Sequence, residues 1–130
     1  MEVSGPVGSL LPSENSGIEL IAKFFRALGD PTRLRLLDFL LDDARTVGDC
    51  VARVGLSQGR VSAHLACLSD CGYVSSHREG RFVYYQVTDP RVASLIALVR
   101  LIAADNSAAL AHCVRIDSAT GGGVRPVAPR

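Results

Sequence analysis

The 130-residue sequence predicts a mainly α-helical fold with one β-hairpin, and three observations favour that class. Apolar residues recur at helical spacing between Ile18 and Gly72, interrupted by short segments that contain glycine. Residues 73–87 change to β-branched and aromatic side chains on both sides of "REGR", a pattern typical of a hairpin. A long stretch with few charges follows Pro90. Elements in this order predict a winged helix-turn-helix fold.

Two helices are predicted within the first 41 residues. The first covers residues 18–28, where apolar side chains return every three or four positions. The second follows "GDPTR", with Asp30 as its N-cap and Pro31 at the first helical position. Because leucine and phenylalanine lie on several sides of this second helix, we expect it at the centre of the core.

A helix-turn-helix unit is predicted next. Thr46 caps a short helix that ends near Val54, and "GLS" at 55–57 interrupts the helical pattern. Ser57 then caps a second helix, which ends at Gly72. Two short helices joined by a tight turn that contains glycine form this unit.

A hairpin and two further helices complete the predicted domain. Gly80 is placed in the hairpin turn, where its lack of a side chain permits the tight backbone. Asp89 and Pro90 begin a long helix, and a short helical piece is expected over 107–114.

One folded domain is expected over residues 18–116. It is large enough to bury a core, and it is small enough that a dimer would add to its stability. The N-terminal segment, 1–17, and the C-terminal tail, 117–130, are rich in small residues and proline and lack periodicity. We therefore expect both ends to be flexible.

Composition limits the classes of partner and compartment. Fourteen Lys and Arg against thirteen Asp and Glu give a net charge of +1, so binding to nucleic acid must depend on where the arginines lie. No apolar run is long enough for a membrane span, and the first residues lack the pattern of a secretory signal. We expect a cytoplasmic protein whose four cysteines are thiols or metal ligands rather than disulfides.

Polar residues at the start of the second helix of the helix-turn-helix unit indicate DNA binding, because this part of such a helix meets base edges in the major groove. The hairpin tip adds Arg78 and Arg81, which suit phosphate or minor-groove contacts. The alternative for each single position is a solvated polar side chain. The predicted DNA-binding residues on the helix are Ser57, Gln58, Gly59, Arg60, Ser62 and His64.

Cysteines on the same helix suggest a metal site. Cys67 and Cys71 are four residues apart, so both side chains lie on one helical face within reach of a shared ion. Cys113, beyond the long helix, supplies a third thiol. Three thiolates suit the soft ions Hg(II), Cd(II) or Pb(II), whereas Zn(II) usually takes a fourth ligand, for which His112 is the nearby candidate. The alternative is that Cys67 and Cys71 are small buried residues.

The segments "ALGDPTRLRLLDFL", "LSQGRVSAHLACLSDCGYV" and "REGRFVYYQV" resemble the ArsR/SmtB family of dimeric winged-helix metal sensors over roughly residues 20–104. Within that family, Cys67, Cys71 and Cys113 match the thiolate ligands of the actinobacterial cadmium and lead sensors. The whole chain is also similar to actinomycete mercury-resistance repressors. The resemblance implies a homodimer that binds double-stranded operator DNA and releases it when a thiophilic metal binds, thereby derepressing metal-resistance genes.

Two other metal sites of the family are not matched by this sequence. Arsenite sensors use a Cys-x-Cys pair on the first helix of the unit, where this chain has only Cys50, which we interpret as a core residue. Zinc and nickel sensors use Asp and His on the last long helix. Here Asp89 is present, but Arg91 stands where the histidine would be.

The cysteines allow two alternatives to metal sensing, a redox-sensing repressor and a thiol enzyme. In a redox-sensing repressor of the same fold, a disulfide from Cys67 to Cys113, or to Cys71, would replace the metal. A thiol enzyme is disfavoured because no cysteine has both an activating base and a group that orients this base. We therefore predict a DNA-binding regulator without catalytic residues and without an organic cofactor. The sequence leaves open which metal is preferred, which subunit donates Cys113, and whether Cys50 or His112 is a ligand.

Overall fold

The computed structural model describes residues 14–116. Helices account for most of this part of the chain, and three short strands form one antiparallel sheet. The elements in order are α1 (Glu14–Leu28), α2 (Pro31–Leu40), β1 (Arg45–Thr46), α3 (Val47–Val54), α4 (Gln58–Asp70), β2 (Ser75–Glu79), β3 (Phe82–Gln86), α5 (Pro90–Asp105) and α6 (Ser107–Ala111).

This order confirms the predicted winged helix-turn-helix fold, with α3 and α4 as the helix-turn-helix unit and β2 and β3 as the wing. Two boundaries differ from the sequence pattern. Helix α1 begins at Glu14, before the first apolar residue of its stripe, because polar residues also continue a helix. Helix α6 ends at Ala111 rather than near 114. The N-terminal segment predicted to be flexible was 1–17, and this bound is wrong for residues 14–17, which belong to α1. Residues 1–13 and the predicted tail 117–130 lie outside the described residues.

The predicted helix starts are confirmed by their capping hydrogen bonds. The Asp30 carboxylate accepts the backbone N–H groups of Thr32 and Arg33 at 2.8 and 3.1 Å. Thr46 forms a capping box with Asp49, in which each side chain accepts the other residue's backbone N–H. Between α3 and α4, Gly55 has φ of 75°, a left-handed conformation that glycine adopts without strain.

The sheet contains one strand more than the sequence predicted. Its order is β1-β3-β2, and the two-residue strand β1 pairs Arg45 with Tyr85. The wing hairpin pairs Glu79 with Phe82, which leaves a two-residue turn where Gly80 has φ of 64°. The short strand β1 therefore attaches the base of the wing to the start of α3.

The described chain divides into two compact units, with the boundary between Val92 and Ala93 inside α5. The first unit contains a core in which α2, α3 and α4 contact one another. Its most buried side chains, all at most 1% exposed, are Leu36, Leu37, Leu40, Cys50, Val61, Leu65, Leu68 and Tyr73. Helix α2 was predicted to lie at the centre of the core. Its three buried leucines, Leu36, Leu37 and Leu40, confirm this prediction.

The second unit contains the remainder of α5 and all of α6. An apolar cavity of about 460 Å³ lies between these helices, lined by residues that include Ile102, Leu110 and Cys113. Among residues 14–116, no helix has the combination of length and apolar character that crossing a membrane requires.

Candidate metal centre and DNA-binding surface

Helix α4, which we call the recognition helix, presents polar residues at its first turn. Ser57 is the N-cap, and its hydroxyl accepts the Arg60 backbone N–H at 3.3 Å. The opposite face carries the buried Val61, Leu65 and Leu68, and this packing fixes which side of the helix meets solvent. The predicted DNA-contact residues that are exposed on the helix and its cap are Ser57, Gln58, Gly59, Arg60 and Ser62.

Both predicted arginines of the wing are exposed. All residues of β2, including Arg78, are open to solvent, and Arg81 follows Gly80 in the turn. The Arg81 guanidinium lies 5.4 Å from the centre of the Phe82 ring, which gives this side chain a partner on the wing. The two guanidinium groups therefore lie on a protruding hairpin where a phosphate could reach them.

His64 differs from the other predicted contact residues because it is half-buried and contacts α2. Its Nδ1 lies 3.3 Å from Nη1 of Arg33. Arginine has no acceptor, so in this contact the guanidinium donates and the imidazole Nδ1 accepts. Only the other ring nitrogen of His64 is then left for a DNA contact.

Arg33 contacts the predicted DNA-binding residue His64 and was not singled out from the sequence. Besides contacting His64, its guanidinium donates to the backbone carbonyls of Ala27 at 2.6 Å and Arg26 at 3.3 Å. These carbonyls belong to the last turn of α1. The residue four positions after Ala27 is Pro31, which has no N–H to donate, whereas the Arg26 carbonyl also accepts the Gly29 backbone N–H at 3.1 Å. Arg33 therefore connects the end of α1 to the recognition helix. Only the "DPTR" sequence could have drawn attention to it, and that sequence does not show what the side chain contacts.

Asp30 adds a negative charge beside this contact. Burial alone would raise the pKa of its carboxyl group, but the backbone N–H groups of Arg33 and Thr32 and the nearby basic side chains together outweigh burial and hold the pKa below its usual value. Asp30 is therefore ionised at neutral pH, where it caps α2 and attracts the guanidinium group of Arg33.

Cys67 and Cys71 lie at the C-terminal end of the recognition helix and are both half-buried. Cys71 is the C-cap residue, and its backbone N–H donates to the Cys67 carbonyl at 3.0 Å. Burial raises the pKa of the Cys71 thiol, the neighbouring Cys67 thiol and Asp70 raise it further, and the charge of Lys23 lowers it. Because the two cysteines are four residues apart, their side chains lie on one face of the helix end.

Cys113 lies in the second unit and is also half-buried. Its neighbour His112 has Nδ1 2.9 Å from the carbonyl oxygen of Ala108, and because a carbonyl only accepts, Nδ1 carries the proton. The exposed Nε2 of His112 then keeps its lone pair in the neutral form. Within residues 14–116, no group of three or more His, Cys, Asp or Glu side chains is arranged to hold a metal ion. The three-thiolate site remains a prediction.

Cys50 is fully buried in α3, as the sequence analysis interpreted it. Burial, with a smaller contribution from the charge of Asp49, raises the pKa of its thiol to about 11. Its complete burial supports the interpretation of Cys50 as a core residue.

Replacement of Cys50 by serine is expected to lower the free energy of unfolding by about 1–3 kcal/mol, because a hydroxyl group would be buried without an assured partner. Urea denaturation at fixed protein concentration measures this loss, and Cys50→Ala is the control that removes the sulfur without adding a polar group. Unchanged stability together with a lost response to metal would instead identify Cys50 as a ligand.

The Asp89 carboxylate is occupied by Arg91. The Arg91 Nη2 lies 2.7 Å from Oδ2, and Nε donates to the same carboxylate. A guanidinium in this position competes with a metal ion for the carboxylate oxygens. The absence of the Asp and His site of the zinc and nickel sensors stays a prediction.

Comparisons with known proteins agree with this architecture. Residues 30–76, from the cap of α2 to the start of the wing, match the family described as "Bacterial regulatory protein, arsR family". The chain is 60% identical over 95 residues to a probable mercury resistance operon repressor of Streptomyces lividans, covering 73% of this chain and 76% of the relative. It is 42% identical over 85 residues to the HTH-type transcriptional regulator CmtR of Mycobacterium bovis, covering 65% of this chain and 72% of the relative.

Solved structures show the same fold. A homodimeric winged helix-turn-helix DNA-binding domain from Mycobacterium bovis, a possible ArsR-family transcriptional regulator, matches with a TM-score of 0.67 and 32% identity. The match covers 73% of this chain and 87% of that domain. Relatives and neighbours alike are regulators of transcription rather than enzymes. The chain belongs to the arsR family of bacterial regulatory proteins.

Proposed function

We propose that the protein is a cytoplasmic, homodimeric repressor that binds double-stranded operator DNA through the recognition helix and the wing. The exposed polar groups in the first turn of the recognition helix are suited to contact bases. Arg78 and Arg81 in the wing are suited to contact phosphate groups. The homodimeric neighbour supports self-association, as does the apolar side of α1, where Ile18, Ile21 and Phe25 are about half exposed.

The inducer that we propose is a thiophilic metal, Hg(II) or else Cd(II) or Pb(II), bound by Cys67, Cys71 and Cys113. The observation that carries this proposal is the position of Cys67 and Cys71, two half-buried free thiols four residues apart at the C-terminal end of the recognition helix. Soft ions prefer thiolate ligands, and residues at this spacing share one face of a helix. The mercury-resistance relative supports Hg(II) as the first metal to test.

Release of DNA follows if metal binding and DNA binding favour different placements of the recognition helix. A ligand shifts such an equilibrium only through a difference in its affinity for the two states. Because Cys67 and Cys71 belong to the DNA-reading helix, a metal that also engages Cys113 would act on this helix directly. A coupling free energy of about 1–3 kcal/mol is sufficient to lower operator affinity about 5- to 150-fold.

The central experiment titrates the reduced protein with Hg(II), Cd(II), Pb(II) and Zn(II). Thiolate-to-metal absorption reports binding, and fluorescence anisotropy of a labelled operator duplex, selected from a randomised library, reports release. Metal binding and release at the same stoichiometry support the proposal. Metal binding without release contradicts it, and release on oxidation without metal would favour a redox sensor.

The affinity for Cd(II) is expected to rise with pH. The raised pKa of Cys71 keeps its thiol protonated at neutral pH, and every thiol that binds the metal must lose its proton. Between pH 6 and pH 8, the logarithm of the apparent affinity should therefore rise with a slope of about three for three thiols and about two for two. Competition with a chelator of known pH dependence measures the slope, and a flat profile would exclude thiol ligands.

Substitutions of two exposed arginines test the DNA-binding surface. Arg60→Ala on the recognition helix should weaken operator binding by about 1–3 kcal/mol and relax sequence specificity, because it removes a base contact. Arg81→Ala in the wing should weaken binding to all sequences alike and lower the salt dependence, because it removes a phosphate contact. Unchanged operator affinity in both variants would disprove this mode of docking.

A further inference from the structure

Tyr73 connects the cysteine pair to α1. It follows Cys71 by two residues and is only 1% exposed. Its ring stacks on Phe24 of α1, with 4.3 Å between the ring centres and 21° between the planes. Its hydroxyl donates to the Phe24 carbonyl at 2.9 Å. One side chain thus makes both an apolar and a polar contact with the same residue of α1.

The backbone between Cys71 and Tyr73 is held tightly. The N–H of Gly72 donates to the Ser69 carbonyl at 3.1 Å, and the N–H of Tyr73 donates to the Leu68 carbonyl at 2.9 Å. Gly72 has φ of 90°, which permits this closure of the helix end. With these bonds in place, a displacement of Cys71 also displaces Tyr73.

Two faces of helix α1 make different contacts beside Tyr73. Phe24 contacts Tyr73, and the charge of the adjacent Lys23 acts on the Cys71 thiol. The neighbouring face of α1 presents Ile18, Ile21 and Phe25 to solvent, and we assign this face to the second copy of the chain. A movement of Tyr73 is therefore placed to change how α1 is presented to that second copy.

We propose that Tyr73 is the positioning residue that couples metal binding at Cys67 and Cys71 to the placement of α1, an inference that rests on the proposed function. When only DNA is bound, or only metal, α1 and Tyr73 can move together. The hydrogen bond from the Tyr73 hydroxyl to the Phe24 carbonyl is then kept in both complexes. When metal and DNA are bound together, the metal displaces Tyr73 while DNA holds α1 in place. The contact is then broken, and this loss makes the doubly bound state unfavourable.

Tyr73→Phe tests the inference because it removes only the hydroxyl and keeps the buried ring. The metal-free protein should bind the selected operator duplex as the wild type does, and the DNA-free protein should bind Hg(II) as the wild type does. Hg(II) lowers operator affinity by a certain factor in the wild type, and this factor should be about two to ten times smaller in the variant. Such a reduction corresponds to the free energy of one hydrogen bond. Anisotropy with and without Hg(II) measures this factor.

Tyr85→Phe is the matched control, because it removes a hydroxyl group from a half-buried tyrosine in β3. It should leave the factor unchanged. If Tyr73→Phe does not fold, Phe24→Leu removes the stacked ring from the α1 side, and it too should reduce the factor. An unchanged factor in a folded variant overturns the inference and leaves the proposed function standing. A wild-type protein that keeps its DNA when Hg(II) binds overturns both.

Discussion

Cys67→Ser and Cys71→Ser should each bind operator DNA like the wild type and fail to release it when metal is added. Both cysteines lie at the end of the recognition helix, away from the exposed first turn that we expect to contact bases. Serine is nearly isosteric with cysteine, but its hydroxyl is a poor ligand for soft ions. We expect wild-type release of about 5- to 150-fold to fall to less than about twofold in each variant.

Ser69→Ala is the matched control, because Ser69 lies between the two cysteines on the same helix and has no thiol. It should respond to metal like the wild type. If both cysteine variants also respond like the wild type, Cys67 and Cys71 are only packing residues, and the metal-sensing proposal fails while the DNA-binding proposal remains.

Cys113→Ser should distinguish the metals. Two thiolates satisfy Hg(II), whereas Cd(II) and Pb(II) require more donors. The variant should therefore retain most of its response to Hg(II) and lose most of its response to Cd(II) and Pb(II). Parallel titrations with the three metals measure this difference. Equal losses for all three would show that the third thiol matters for Hg(II) as well.

Local sequence signals predicted most of the fold. Asp30, Thr46 and Ser57 each cap the helix that follows, and these bonds span only two or three residues. Gly80 has the positive φ that the hairpin turn requires. Such features depend on neighbouring residues, which is why they can be inferred from the sequence. Strand β1 was missed because two residues carry no periodic pattern.

The contacts that connect the elements could not be predicted in the same way. Arg33 meets His64 across 31 positions of the chain, and Tyr73 meets Phe24 across 49. Nothing in the local pattern of either pair specifies its partner. The packing of α2 against α1 and α4 brings Arg33 to His64, and the segment after α4 brings Tyr73 to Phe24. The spacing of Cys67 and Cys71 did predict their shared face, since one helix contains both. It could not predict a relation to Cys113, which belongs to another unit.

Arg33→Ala should lower the free energy of unfolding by about 2–3 kcal/mol. The substitution removes donors to the Ala27 and Arg26 carbonyls and to the His64 imidazole. Hydrogen bonds from a charged donor contribute more than neutral ones, and the Ala27 carbonyl would lose a partner that the helix itself does not supply, although the Arg26 carbonyl would keep the Gly29 N–H. Thermal unfolding at fixed protein concentration should show a midpoint lower by about 10 °C.

Arg35→Ala provides the matched control, because Arg35 is an exposed arginine on the same helix. Its removal should change the unfolding free energy by less than about 0.5 kcal/mol. Arg33→Lys keeps the charge but not the planar set of donors that reaches two carbonyls and an imidazole, so it should recover only part of the loss. Full recovery by lysine would mean that the charge beside the end of α1 is what stabilises the fold, through its interaction with the helix dipole. Equal stability of Arg33→Ala and Arg35→Ala would show that the contacts of Arg33 do not stabilise the fold.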